Sequence, residues 1–292
     1  MSEHTLPSNI LLHNHLPDGF QFSQGSLQDF VDCKRRFQLR YILGLAWPGL
    51  QSEPALENER RMQQGARFHR LLHQYLLGVP PDRLESLTDN DLGRWWMNFR
   101  RYFESLSAQE RPIDFHPEIT LSSPLGGYRL VAKYDLILVQ PGGRFTIFDW
   151  KTSHRKPRRE WLEKRMQTLA YPYLLIQTGD KLNSNNPISP EDIEMVYWFA
   201  EYPETPERFD YSLELYQQKE AYLSGLVAEI LRLTGDEFTL TERIERCRFC
   251  NYRSLCNRGI EAGPLDDLEG ESEDVLEGEI FIEFDQISEI EY

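Results

Sequence analysis

The chain has 292 residues, 40% hydrophobic and 12% aromatic, enough to bury a large core as one domain or one domain with attachments. Its formal charge of −15 looks wrong for a nucleic-acid binder, yet residues 261–292 hold 13 Asp and Glu and no Lys or Arg, and setting that acidic tail aside leaves −2 for the body. No apolar run reaches about 18 residues, and the N-terminal MSEHTLPSNILLHNHL lacks a basic region followed by a long apolar one, which argues against a membrane protein and makes the cytoplasm the expected location.

Residues 1–25 read as a flexible N-terminal segment. A helix is expected from Ser26, as cap, with Asp29 three residues on; Leu27, Phe30, Val31, Phe37 and Tyr41 carry its apolar stripe past Cys33 until Gly44 and Pro48 end it. A second helix is expected over 58–77. It contains His69 and His73, four apart on one face, a spacing that suits a shared metal or simply two packed histidines. A third, over 91–107, turns Trp95, Trp96, Phe99 and Phe103 toward the core. Residues 115–121 read as one strand and 122–127 as a turn.

The stretch LVAKYDLILVQPGGRFTIFDWKT, residues 130–152, reads as a β-hairpin turning at Pro141-Gly142-Gly143. With the turn centred on Gly142, Asp135 falls opposite Asp149. Alternation puts Asp135, Asp149 and Lys151 on one face with Ile137, Val139, Phe145 and Ile147, and Leu136, Leu138, Phe148 and Trp150 on the other. Both faces are apolar, as in a central strand pair covered by helices. Opposed carboxylates repel, so a cation is needed between them. A divalent ion fits, as does an ion pair with Lys151, and the hairpin register favours the metal.

The most basic segment follows: His154, Arg155, Lys156, Arg158 and Arg159 leave the sheet at the carboxylate end. Phosphate contact is expected there, a solvated loop being the alternative. A helix over 160–178 places Gln167 and Tyr171 on one face, and Pro172 within it should kink or interrupt it. Residues 192–200 read as a strand and 211–234 as an amphipathic helix. Cys33, Cys247, Cys250 and Cys256 are all the cysteines of the chain. Three of them form C-x2-C-x5-C, so four thiolates around zinc or an iron–sulfur cluster is the reading, and spacing does not choose between the two.

Taken in order, Gly65-x-x-x-His69, Asp135 in AKYDLI, Asp149-Trp-Lys151 and Gln167-x-x-x-Tyr171 resemble the RecB-like branch of the PD-(D/E)xK nuclease superfamily. One Cys before these motifs and three after is similar to the Cas4 and AddB type nucleases, which hold a 4Fe-4S cluster. Ala132, where relatives often carry Gly, and Pro172 are departures. The resemblance implies an α/β fold, a central mixed β-sheet flanked by helices with a restriction-endonuclease-like αβββαβ core, over 26–260. In that fold a four-cysteine site would join the N- and C-terminal segments. It implies Mg²⁺ or Mn²⁺ held by His69, Asp135, Asp149 and the Trp150 carbonyl, Lys151 orienting or activating water, and Gln167 and Tyr171 positioning Lys151 or the cut strand. The function implied is a metal-dependent deoxyribonuclease acting on DNA single strands or ends, in repair, recombination or CRISPR adaptation. An inactive nucleic-acid-binding module serving a helicase or recombination partner is the alternative. In the tail, Ile280, Ile282 and Phe284 alternate with acidic residues, which suits a phosphate mimic, strand addition to a partner, or a solubilising tail.

Overall fold

The structure, a computed structural model, describes residues 15–45, 55–107 and 114–263. Its elements in chain order are β1 (Gln21–Ser23), α1 (Gln24–Asp32), α2 (Lys34–Phe37) with a π-helical turn (Gln38–Ile42), α3 (Ala55–Leu76), α4 (Pro81–Glu85) and α5 (Asn90–Ser107). Then follow β2 (Asp114–Pro117), β3 (Thr120–Leu125), β4 (Tyr128–Lys133), β5 (Leu136–Gln140), β6 (Arg144–Lys151), α6 (Arg159–Leu162) and α7 (Met166–Thr178). The chain continues through β7 (Ile193–Phe199), β8 (Glu207–Asp210), α8 (Leu213–Arg232) and α9 (Ile244–Cys247). Pro48 and the Ile280, Ile282, Phe284 segment lie outside the described residues. Among the described residues no helix is long and apolar enough to cross a membrane.

The strands form a five-stranded sheet, β2-β5-β6-β7-β8, and a three-stranded sheet, β1-β4-β3. The larger is mixed: β6 and β7 run parallel and the other pairs antiparallel. A parallel pair needs a crossover, and α6 and α7 supply it. Leu136, Leu138, Phe148 and Trp150 cover one face and pack on Phe68 and Leu72 of α3 and Trp95, Trp96 and Phe99 of α5. Ile137, Phe145 and Ile147 cover the other and pack on Tyr171, Leu174 and Leu175 of α7. The smaller sheet packs its Phe22 and Leu130 on Phe30, Met166, Leu223 and Val227.

Two hairpins fix the registers. Leu136 faces Phe148 and Gln140 faces Arg144 across the Pro141–Gly143 turn, the register expected from a turn centred on Gly142. The other hairpin closes at Gly126 and Gly127, whose φ of +59° and +85° suit the two-residue turns that match strand twist. From Leu125↔Tyr128 to Thr120↔Lys133 it belongs to the smaller sheet, and from Pro117↔Leu136 to Asp114↔Val139, in unbroken step, to the larger. The crossing point is Glu118-Ile119 opposite Tyr134-Asp135. Glu118 there has φ +53°, a left-handed conformation rare for a residue with a Cβ.

Several expectations need correction. The 115–121 strand is broken at Glu118, and β3 runs on to Leu125, so the turn is Gly126-Gly127 alone. The first helix is capped by Ser23, with Ser26 as the reciprocal partner three residues later. That helix stops at Cys33, whose backbone is extended at φ −162°, ψ 108°. The expected 160–178 helix is divided between α6 and α7, ahead of Pro172, which sits inside one continuous helix.

Phe99 carries the aromatic core between α5 and the sheet. It is fully buried, with Trp150 and Trp198 edge-on at 5.3 and 6.0 Å and Phe103 stacked at 5.3 Å. Phe99→Ala is expected to cost about 3–5 kcal/mol. Urea unfolding checks this, and a loss below about 1 kcal/mol would mean that the cluster repacks around the gap.

Candidate active site

At the crossing point three acidic residues come abreast: Asp149 in β6, Asp135 just before β5 and Glu118 just after β2. Continuing the two registers, Glu118 lies opposite Asp135 on one side and Asp149 lies opposite it on the other. Like charges so placed repel, and each carboxylate has a nitrogen partner. Asp135 Oδ1 lies 3.1 Å from His69 Nδ1. Asp149 Oδ2 is ion-paired at 3.0 Å with Lys151 Nζ, both groups buried. Glu118 is ion-paired with Lys133.

The backbone ties the set together. Trp150 N–H, between Asp149 and Lys151, donates to Asp135 Oδ2 at 2.8 Å. Burial opposes the charge of Asp135, but His69 above all, then the Trp150 N–H and Lys151, hold its carboxyl below the usual range. Glu118 N–H donates to the Asp135 carbonyl at 3.1 Å.

Packing sets the reach of each side chain. A Cβ on Gly65 would stand 3.0 Å from Thr152 Oγ1, so this glycine lets α3 approach the end of β6 closely. His69, one turn further, thereby reaches Asp135. On α7, Gln167 Nε2 donates to Asp149 Oδ1 at 3.2 Å, and the Tyr171 ring lies 4.8 Å from that of Tyr134, whose hydroxyl donates to the Tyr171 carbonyl. Gln167 thus touches one acidic residue, and Tyr171 packs on the neighbour of the other.

His69 nitrogen and the Glu118 and Asp135 oxygens all lie within 4.8 Å of one another. Two ligands on opposite sides of Mg²⁺ are about 4.2 Å apart, so hard oxygen and imidazole donors at this spacing suit a small divalent cation. Glu118 escapes a reading of the sequence that treats 115–121 as one strand. The signal lay in Gly126-Gly127: a hairpin centred there sets Glu118 against Asp135.

The basic segment is partly engaged within the chain. Lys156 pairs with Glu207 at 2.6 Å and Arg159 with the same carboxylate at 3.1 Å. Burial works against Glu207, but hydrogen bonds from Lys156 and Arg159 hold its pKa down. His154, Arg155 and Arg158 are exposed.

The four cysteines line one pocket, partly open to solvent, together with Asp32, Arg36, Arg246 and Arg253. Burial raises the thiol pKa of Cys247, of Cys250 to about 12 and of Cys256 to about 11, and neighbouring thiols add to the shift. The extended backbone at Cys33 turns the chain between α1 and α2 at this cavity, the end of α9 brings Cys247, and the turns after it bring Cys250 and Cys256. Other bonds join the same segments: Arg35 N–H donates to the Thr239 carbonyl at 3.1 Å, and Tyr252 Oη donates to that of Leu45 at 2.7 Å.

No curated protein sequence matches the chain. Among solved structures it is similar to SSO0001, with 13% identity, 83% of this chain and 88% of that one covered and a TM-score of 0.37. It is also similar to a candidate exonuclease from Eubacterium rectale, with 10% identity, 73% and 80% covered and a TM-score of 0.46. The family model for the PD-(D/E)XK nuclease superfamily matches residues 21–257, a span that begins at β1 and takes in all three acidic residues and all four cysteines, and the chain belongs to that superfamily.

Proposed function

We propose that the chain is a metal-dependent DNA nuclease of the RecB-like kind, hydrolysing phosphodiester bonds in single strands or ends, with a structural 4Fe-4S cluster at its four cysteines. One observation carries the first part. The Trp150 N–H bond to Asp135 locks the Asp149-Trp150-Lys151 segment against a carboxylate that already faces His69 and Glu118. That places ligands for a cation beside a buried ammonium.

His69, Asp135 and Asp149 would hold the ion, with Glu118 as a further ligand and the Trp150 carbonyl completing the set. When bound, Mg²⁺ or Mn²⁺ supplies Lewis-acid polarisation of the phosphate and a water of lowered pKa. Lys151, ion-paired with Asp149 at 3.0 Å, would donate from Nζ to orient the attacking water or a phosphate oxygen. Gln167 fixes the rotation of the Asp149 carboxylate, and Tyr171, through Tyr134, the position of Asp135. His154, Arg155 and Arg158 would meet the phosphate backbone. Lys156 and Arg159, committed to Glu207, contribute mainly by shaping that segment. A helicase or recombination protein is the kind of partner such a nuclease serves.

The order of the cysteines, one ahead of the acidic residues and three after them, supports the cluster over zinc through the family resemblance. Three buried or half-buried arginines line the cysteine pocket, which suits an anionic thiolate-ligated group.

Three outcomes test these readings. Asp149→Asn and Lys151→Met are expected to lose Mn²⁺-dependent cleavage of labelled DNA by roughly 10²–10⁴-fold while still binding it. Removing Lys151 leaves a buried carboxylate unpaired at a cost of about 3–5 kcal/mol, so the double variant, checked by thermal unfolding, guards against a folding artefact. Equal binding by wild type and variants with no cleavage by any of them would favour the inactive binding module.

Glu118→Gln is expected to weaken Mn²⁺ binding, followed by calorimetry without DNA, by roughly 10–100-fold. An unchanged isotherm would remove Glu118 from the ligand set. Protein purified without oxygen should be brown with a broad band near about 400 nm, where thiolate-to-iron charge transfer falls. A colourless protein carrying zinc would give the cysteine site to zinc.

A further inference from the structure

Arg36 is one of the arginines beside the four-thiol cavity, and its fixed position gives it a more specific part. It is only 6% exposed, and it lines that cavity with Cys33, Cys247, Cys250 and Cys256. Its Nη2 is held by two carboxylates, Asp29 Oδ1 at 2.7 Å and Asp32 Oδ2 at 2.9 Å. Those carboxylates are themselves fixed: Asp29 by the Tyr41 hydroxyl at 3.1 Å and Arg40 at 3.3 Å, Asp32 by Gln28 at 2.9 Å and by Arg246. The guanidinium is therefore clamped on one edge and cannot swing to solvent. Its Nε is buried and has no hydrogen-bond partner in the protein. Buried N–H groups are almost always paired, so a lone one beside a cavity points to an acceptor that occupies the cavity.

We infer that Arg36 is a fixed hydrogen-bond donor to the cysteine-held group, its Nε–H directed at a sulfur of the 4Fe-4S cluster, and that this donor sets the cluster's reduction potential. The inference rests on the cluster reading given above. A donor to sulfur stabilises the more negative, reduced cluster and so raises its potential. Asp29 and Asp32 are the positioning residues: they offset the charge of Arg36 and hold it at Nη2, leaving its buried Nε–H for the bound group.

The test uses the full chain purified without oxygen, labelled with ¹⁵N-arginine and reduced with dithionite. Pulsed electron paramagnetic resonance of the reduced cluster should show a ¹⁵N coupling in the wild type that Arg36→Lys abolishes while retaining the charge. The oxidised-to-reduced equilibrium at a fixed potential should move about tenfold toward oxidised in that variant, which is about 59 mV for one electron. Should Arg36→Lys fail to fold, Arg36→Met combined with Asp29→Asn removes the donor and one of its carboxylates together and should give the same shift. An iron-loaded wild type whose coupling survives in these variants, or whose potential matches theirs, overturns the inference alone. An iron-free wild type sinks the cluster reading and takes the inference with it.

Discussion

Three carboxylates side by side on neighbouring strands are a repulsive arrangement that a sheet does not adopt without compensation. Opposed like charges weaken a strand pair, and burial strengthens the repulsion by lowering the local dielectric. In this chain each acid is answered separately: Glu118 by Lys133, Asp135 by His69 and the Trp150 N–H, Asp149 by Lys151 and Gln167. Such pairs roughly break even against the cost of taking their charges out of water. Stability therefore does not account for the arrangement, and the cation site proposed above would. A divalent ion would bring more positive charge to the row than any one of these side chains does.

The fold delivers the row through two features of the backbone. A single hairpin passes from one sheet to the other without losing step, and the crossing forces Glu118 into a left-handed conformation. Strain of this kind costs on the order of 1–3 kcal/mol and persists where surrounding structure holds it. Here the holding is done by Pro117 and Thr120 on either side, each paired in a different sheet. Helices then approach from both faces. α3 comes close because Gly65 has no side chain, and α7 is anchored by Tyr171 against Tyr134.

What the sequence discloses follows from length and period. The β5–β6 register is legible because two apolar strands flank glycines that fix the turn, and a one-residue slip of β6 would have carried Asp149 and Lys151 into the aromatic face of Phe148 and Trp150. The aromatic set Trp95, Trp96, Phe99 and Phe103 is legible because its helical spacing is unambiguous. Glu118 is hidden because the residues around it continue the strand pattern, and only pairing with a second strand reveals the break. β1 and β8, at three and four residues, are too short to show a period. Cys33 interrupts a helix whose apolar stripe runs through the break, since Phe37 packs in the same core as Phe30 with a 5.6 Å edge-on contact. The pairing of Lys156 and Arg159 with Glu207 depends on β8, so their engagement could not be foreseen either.

The cysteine cavity and the acidic row are also joined through α1 and α7. Gln28 Nε2 donates to Asp32 Oδ1, the carboxylate shared by Arg36 and Arg246 at the cavity wall. The Oε1 atom of the same side chain accepts from Met166 N–H at 3.1 Å, the first residue of α7. The next residue, Gln167, holds Asp149. The N-terminus of α7 has no side-chain cap of its own from Arg165, so the Gln28 amide satisfies a donor that the helix leaves open. One amide thus fixes both the carboxylate behind the thiols and the start of the helix that orients the Asp149 carboxylate. The Arg246–Asp32 bond ties the segment carrying Cys247, Cys250 and Cys256 to α1, from which α7 takes its bearing.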